Sequence, residues 1–358
     1  MEKKTLYYHI FLFLSSFTRG LIEVFSLVLL YQKGYSVGNI FFFLFLLYFV
    51  GIFVNIFSLL LDYRLVLLVS VFLYGGSFFY LSVMKNTYLS LIIFSILLSI
   101  SNYSYHSIRH YLAFSMLDSN RLKTNHLVLL MYLGSIFSSF VGTFLVGKLP
   151  VTIIGMIILG FSLLGIYPVL KSKNLKRKEK RQSIWLVKLE KEKIFFSIFE
   201  QFKVMFLEIQ PLFLYLYVKK SIYYVGIFNF ILNFASLIVM YFLSSRLKKN
   251  AFKYVCFFLS LICFLKINIR NGIFLLGLAF FEGVCVKIYE NFSLDNLYDT
   301  SNREVCSYLI VEEMIFFGTK SLFMGMVCLF HLQIYFVLLI CILGIFCSSF
   351  FIHLKKAS

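Results

Sequence analysis

The groups able to do chemistry in this chain are charged side chains set inside long apolar runs. Arg19 and Glu23 stand four residues apart in FLFLSSFTRGLIEVFSLVLLY, a spacing that puts both on one face of a helix. Glu200, Lys203 and Glu208 share a second run, and Asn102, Tyr103, His106, Arg109 and His110 a third. Glu282, Lys287 and Glu290 occupy a fourth, and Glu312, Glu313 and Lys320 a fifth. A charge at the centre of a bilayer costs roughly 2.5–3.5 kcal/mol on insertion scales, so it persists where it is paired or lines a wet cavity.

Each group suggests particular chemistry. Arg19 and Glu23 can form an ion pair that a solute or a proton breaks; the plainer alternative is a pair that only neutralises itself. Glu208 lies near mid-depth, whereas Glu200 is close enough to its helix start to snorkel toward headgroups. Asn102, His106 and Arg109 form one helical stripe, in which a histidine could relay protons near neutral pH. His106 and His110 are one turn apart, but no acid or cysteine of that helix joins them, so no metal site is expected. Lys287 and Glu290 can pair within one turn, and Glu313 and Lys320 share a face. Glu282 has no partner in its own helix and is a candidate for taking up a proton. Adjacent Glu312 and Glu313 must diverge. The substrate-binding or proton-coupling set is therefore Arg19, Glu23, His106, Arg109, Glu208, Glu282, Lys287, Glu290 and Glu313.

The elements that carry these residues are transmembrane helices. The chain is 61% hydrophobic and 14% charged, with a mean hydropathy of +0.89, against about 25% charged residues in a globular domain. The runs are long enough to cross ~30 Å of hydrocarbon as helix and lack the two-residue alternation of a membrane barrel. Twelve spans are placed at 6–31, 38–61, 65–84, 88–112, 125–147, 150–170, 195–217, 222–245, 252–269, 272–294, 305–329 and 332–353. MEKKTLYY leads into the first of them and is read as part of a retained helix. All seven cysteines fall in the second half, none as CxxC, so neither a disulfide framework nor a zinc site is expected.

The net charge of +18 is distributed by loop. With the N-terminus inside, the inner side collects 22 Lys/Arg and the outer side seven, Lys266 among the latter, which places both termini in the cytoplasm. Ten of the 22 lie in 171–193, KSKNLKRKEKRQSIWLVKLEKEK. This basic connector is read as facing anionic lipid rather than nucleic acid. It separates a six-helix bundle at 1–170 from another at 194–358. A repeat relates the two: Glu23 precedes LYQKGYSVGN, and Glu208 precedes LYLYVKKSIYYVGIFN. The following spans end in the charged turns LLLDYR and LSSRLKK.

Two six-helix halves, a basic connector and a charged turn between the second and third helices resemble the major facilitator superfamily. The resemblance covers the whole chain in architecture. The family's G-x-x-x-D-R-x-G-R-R turn is represented by Asp62 and Arg64 alone, and the glycine-rich fifth helix, with Gly134, Gly142 and Gly147, lacks the Gly-Pro of the antiporters. The resemblance implies an all-α polytopic membrane protein of two pseudo-symmetric bundles, with helices 1 and 7 lining a central cavity and Asp62 and Arg64 in a conformational role.

There is no P-loop, GxSxG or HExxH, so neither ATP-driven transport nor soluble-type hydrolysis is expected, and no cofactor is called for. The expected function is a secondary active transporter in the cell membrane, moving a small solute by alternating access with coupling to protons, or else to another ion. The competing reading is a membrane-embedded enzyme or assembly factor acting on a lipid-linked substrate. That reading would gather the polar residues near one leaflet rather than in one axial cavity.

Overall fold

In hydrocarbon every backbone N–H and C=O must be satisfied within the segment, which leaves helices as the solution for runs of this composition. The computed structural model describes residues 3–21, 23–116, 121–171, 191–243, 252–300 and 305–350, and these are helical throughout apart from short turns. The connector at 172–190 lies outside the described residues, as do the loops at 117–120, 244–251 and 301–304.

The first crossing is broken. Helix α1 (Lys3–Gly20) passes through a 3-10 turn at Glu23–Phe25 into α2 (Ser26–Gln32). Eleven further helices follow: α3 (Val37–Leu60), α4 (Tyr63–Val83), α5 (Tyr88–Met116), α6 (Arg121–Lys148), α7 (Val151–Lys171), α8 (Lys191–Tyr217), α9 (Ile222–Leu243), α10 (Phe252–Asn268), α11 (Gly272–Thr300), α12 (Val305–Leu329) and α13 (Ile334–Ser348). Counting the broken helix once gives the twelve expected. Among the described residues, seven of them are apolar and long enough to span a bilayer by composition alone; α8 and α12, among the rest, carry buried Glu200, Lys203, Glu312, Glu313 and Lys320.

The packing repeats. In the first half α1 packs on α6 and α7, α3 on α5, and α4 on α5 and α7. In the second half α8 packs on α12 and α13, α9 on α11, and α10 on α11 and α13. Each pairing in one set has its counterpart six helices later, with α8 standing for the broken first crossing. The halves meet chiefly through α3 against α12 and α6 against α9, and these two seams exchange under the same relation. The result is an all-α, polytopic membrane protein of two pseudo-symmetric six-helix bundles.

The surface inverts the usual rule. Phe49, Phe53 and Phe57 of α3 are 44–61% exposed, and Phe257, Phe258, Leu261 and Phe264 of α10 are exposed with them. Arg19, Lys203, Lys266, Lys287 and Lys320 are buried. Apolar stripes of this length outside and cations inside are what a lipid solvent selects.

At the end of the bundle that bears the short loops, the turns are pinned by specific bonds. Gly34, at φ +91, closes α2, because its amide donates to the Tyr31 carbonyl while Tyr35 donates to Leu30. The Lys33 ammonium donates to the carbonyls of Ser82 (3.0 Å) and Met84 (3.4 Å) at the end of α4, and its burial lowers its pKa. Ser36 caps α3 by accepting from the Asn39 amide at 3.2 Å.

Close helix contacts rest on glycine. A Cβ at Gly283 of α11 would lie 2.1 Å from the Leu232 carbonyl oxygen of α9, and one at Gly142 of α6 would lie 2.3 Å from the Leu21 carbonyl oxygen. Backbone cannot swing aside as a side chain can. Gly283→Ala is expected to destabilise the chain by about 2 kcal/mol, read as a lowered thermal midpoint in detergent, whereas Gly277→Ala, which meets nothing within 4 Å, should leave the midpoint unchanged.

Candidate functional site

The structure sorts the charged residues into separate clusters, of which one lies on the seam between the halves. At its centre is Glu208 of α8. Its Oε1 accepts from the Lys320 ammonium of α12 at 3.2 Å. Its Oε2 accepts from the Tyr48 hydroxyl of α3, in the opposite half. The Lys320 ammonium sits over the Tyr48 ring at 4.8 Å and the Phe317 ring at 5.8 Å, and Tyr103 of α5 packs on Phe317 with centroids 4.1 Å apart. Tyr103 is within electrostatic reach of Glu208, Glu23 and Glu313 together. Four helices from both halves thus converge on one carboxylate.

The first crossing reaches the same seam through its break. The turn Glu23–Phe25 packs against α8 and α9. Glu23 is exposed, and its Oε1 accepts from the Asn102 amide at 3.4 Å. Asn102 Oδ1 in turn accepts from Arg19. Arg19 points away from the seam into the first bundle. It donates to Ser70 Oγ (3.2 Å) and to the Ser101 carbonyl (3.1 Å), and its guanidinium lies 4.4 Å and 4.1 Å from the rings of Tyr74 and Tyr105. The helix that carries Arg19 ends at Gly20, before the 3-10 turn that carries Glu23, and Asn102 bonds to both.

The repeat partner α8 stays continuous but loses one backbone bond beside its acid. Pro211, three residues after Glu208, lacks the N–H that would bond the Leu207 carbonyl. In both halves the opening helix is therefore disturbed beside its acidic residue, at mid-depth. The break in the first crossing and the carbonyl left unbonded in α8 both present backbone polarity to a midplane site.

The remaining candidates lie elsewhere. Glu282 is fully buried in the second bundle and pairs with Lys266 of α10. Gln210 donates to it at 3.4 Å, and the Lys266 ammonium lies 4.5 Å from the Phe228 ring. Lys266, read from the sequence as an outer-loop charge, is only 1% exposed; the partner that Glu282 lacked within its own helix comes from the next one. Lys287 pairs with Glu290 at 3.5 Å, as their spacing indicates. Glu200 does not snorkel: it is buried, accepts from Ser293 Oγ at 2.7 Å and lies 3.6 Å from Lys203. Glu312 and Glu313 are both buried, because both sides of α12 are covered there, and Lys320 turns to Glu208 rather than along its own face to Glu313. His106 is half-buried with its ring edge on Tyr105. Arg109 lies on α5, and its side chain is outside the described residues. Asp62 caps α4 by accepting from the amides of Arg64 (2.9 Å) and Leu65 (3.2 Å), and Arg64 donates to the Leu170 carbonyl at 2.6 Å. That turn ties α4 to the end of α7.

Sequence reasoning passed over Tyr48 and gave Lys320 no role at Glu208. Tyr48 did carry a signal: it lies halfway along α3, far from either interface, where a hydroxyl needs a partner.

Fold and site together define a polytopic helical membrane protein built of two related six-helix bundles. The chain aligns over its full length, and over the full length of the other chain, with the nucleoside transporter NupG at 13% identity and a TM-score of 0.69. It aligns equally fully with a bacterial homologue of the iron transporter ferroportin in an outward-facing state, at 12% identity and a TM-score of 0.71. A point mutant of NupG matches over 99% of this chain and all of its own at 14% identity and a TM-score of 0.72. No protein-family model matches the chain, and no curated protein matches it in sequence.

Proposed function

We propose that this protein is a secondary active transporter of the major facilitator type, which moves a small solute across the cell membrane by rocking one six-helix bundle against the other. The observation that carries this reading is the placement of Glu208: a carboxylate at mid-depth, 38% exposed, held from one half by Lys320 and from the other by Tyr48. A group held from both sides of a moving seam must change its partners as the seam opens. The likeness in fold to transporters of nucleosides and iron supports transport over the lipid-linked enzyme reading, and so does the axial, two-sided position of the site.

Proton coupling follows from the same geometry. A carboxylate whose counter-charge and hydrogen-bond donor sit on different rocking parts loses stabilisation when they part, and takes a proton in compensation. Glu208 and Glu23 are the coupling groups in this scheme. Glu282, locked against Lys266 away from the seam, supports the second bundle instead. The orientation with both termini in the cytoplasm rests on the basic connector and the inner loops, and the Asp62–Arg64 turn keeps α4 and α7 moving as one piece.

The test is flux in proteoliposomes under an imposed pH gradient, with phenethylammonium as one solute and nucleosides as a second solute class. Uptake should accelerate when the gradient drives protons in the coupled direction and collapse when an ionophore abolishes it. Flux that ignores the gradient, in wild type and in Glu23→Gln alike, would remove the coupling claim while leaving transport intact.

A further inference from the structure

The seam already holds a cation, and the cation is the chain's own. The Lys320 ammonium is bound by a carboxylate at 3.2 Å and by two ring faces, Tyr48 at 4.8 Å and Phe317 at 5.8 Å. A carboxylate flanked by aromatic faces is the combination that recognises alkylammonium groups. The exposures on this seam are asymmetric. The basic groups, Arg19 and Lys320, are 6% and 5% exposed and engaged with the groups named above. Two acids are open, while Glu313 is buried: Glu23 is exposed, and the Glu208 side chain is 38% exposed against 6% for that of Lys320. A solute entering between the halves therefore meets negative charge and aromatic surface, with the positive charge behind it.

From this we propose that the transported solute is an amine-bearing organic cation, and that Lys320 is a tethered surrogate for it, exchanging with the solute's ammonium at Glu208, Tyr48 and Phe317. This rests on the transporter reading given above. The surrogate has a physical purpose. An empty mid-membrane carboxylate pays several kcal/mol of desolvation with nothing to offset it. A built-in ammonium occupies the site during the unloaded stroke, so Glu208 keeps a counter-charge whether or not solute is present.

The test uses three probes that share a phenylalkyl body and differ in charge: phenethylammonium, 2-phenylethanol and 3-phenylpropionate. Each is titrated at millimolar concentration into the purified full chain while the thermal midpoint is followed. Only phenethylammonium should raise the midpoint. Lys320→Met removes the internal competitor and should tighten phenethylammonium by about tenfold, whereas Glu208→Gln should abolish its effect. Equal or greater stabilisation by the alcohol or the carboxylate, weaker phenethylammonium binding in Lys320→Met, or no shift with any probe would overturn the inference. The wild-type charge series reads out even where a variant fails to fold. Flux separates the two readings. Gradient-driven uptake of 3-phenylpropionate but not of phenethylammonium keeps the transporter and removes the cation site. Phenethylammonium binding that depends on Glu208, with no flux, keeps the cation site and removes the transporter.

Discussion

Glu208→Gln is expected to lower solute flux by about 100-fold while leaving a folded chain. Truncating one partner of a hydrogen-bonded charge pair whose other member is buried costs about 3 kcal/mol, much of it the penalty of the charge left behind. That charge here is Lys320, which is 5% exposed. The amide can still accept from Tyr48, so the inter-half contact persists and the loss falls on binding and coupling. Tyr48→Phe removes the contact from the other half but keeps the ion pair, and should reduce flux far less. The measurement is initial uptake in proteoliposomes at matched incorporation. Equal losses in the two variants would place the function of Glu208 in the contact rather than in its charge.

Lys266→Met is expected to have the largest effect on stability. Its partner Glu282 is fully buried, and breaking such a pair by removing one member typically costs 3–5 kcal/mol, whereas replacing both with apolar groups is often neutral. A lowered thermal midpoint, by an amount corresponding to about 4 kcal/mol, should follow in the single variant. Lys266→Met combined with Glu282→Leu should return to within about 1 kcal/mol of wild type. The double variant should also keep gradient-driven flux, because the pair lies among α8, α9, α10 and α11 and away from the seam. Loss of coupling in a stable double variant would reassign Glu282 to proton transfer.

Much of the architecture can be read from the chain because the bilayer leaves so few solutions. Apolar length sets the spans, and the 185-residue offset between Glu23 and Glu208 gives the repeat. Both acids lie on the seam, Glu23 at the break that follows α1 and Glu208 three residues before Pro211 in α8. What periodicity could not supply was partnership between helices. Lys266 stands in the last turn of α10 and counts as a loop charge by position; its burial comes from α11 and α9, which no local pattern announces. Arg19 and Glu23 look like one helix face, yet Gly20 and the turn beyond it separate them. Tyr48 is one of 24 tyrosines, and its link to Glu208 spans 160 residues.

The central claim is that the two halves part and close around Glu208, and it is tested at their contact on the short-loop end. There Gln32 of α2 donates to the Tyr215 hydroxyl of α8 at 3.1 Å, and Tyr31 packs edge-on against the Tyr215 ring. In a background with the seven native cysteines replaced, Gln32→Cys and Tyr215→Cys would be bridged by a short bifunctional thiol reagent with a cleavable link, and flux measured before bridging, after it and after cleavage. Bridging should stop flux and cleavage should restore it; undiminished flux in the fully bridged protein would show that the halves do not part there.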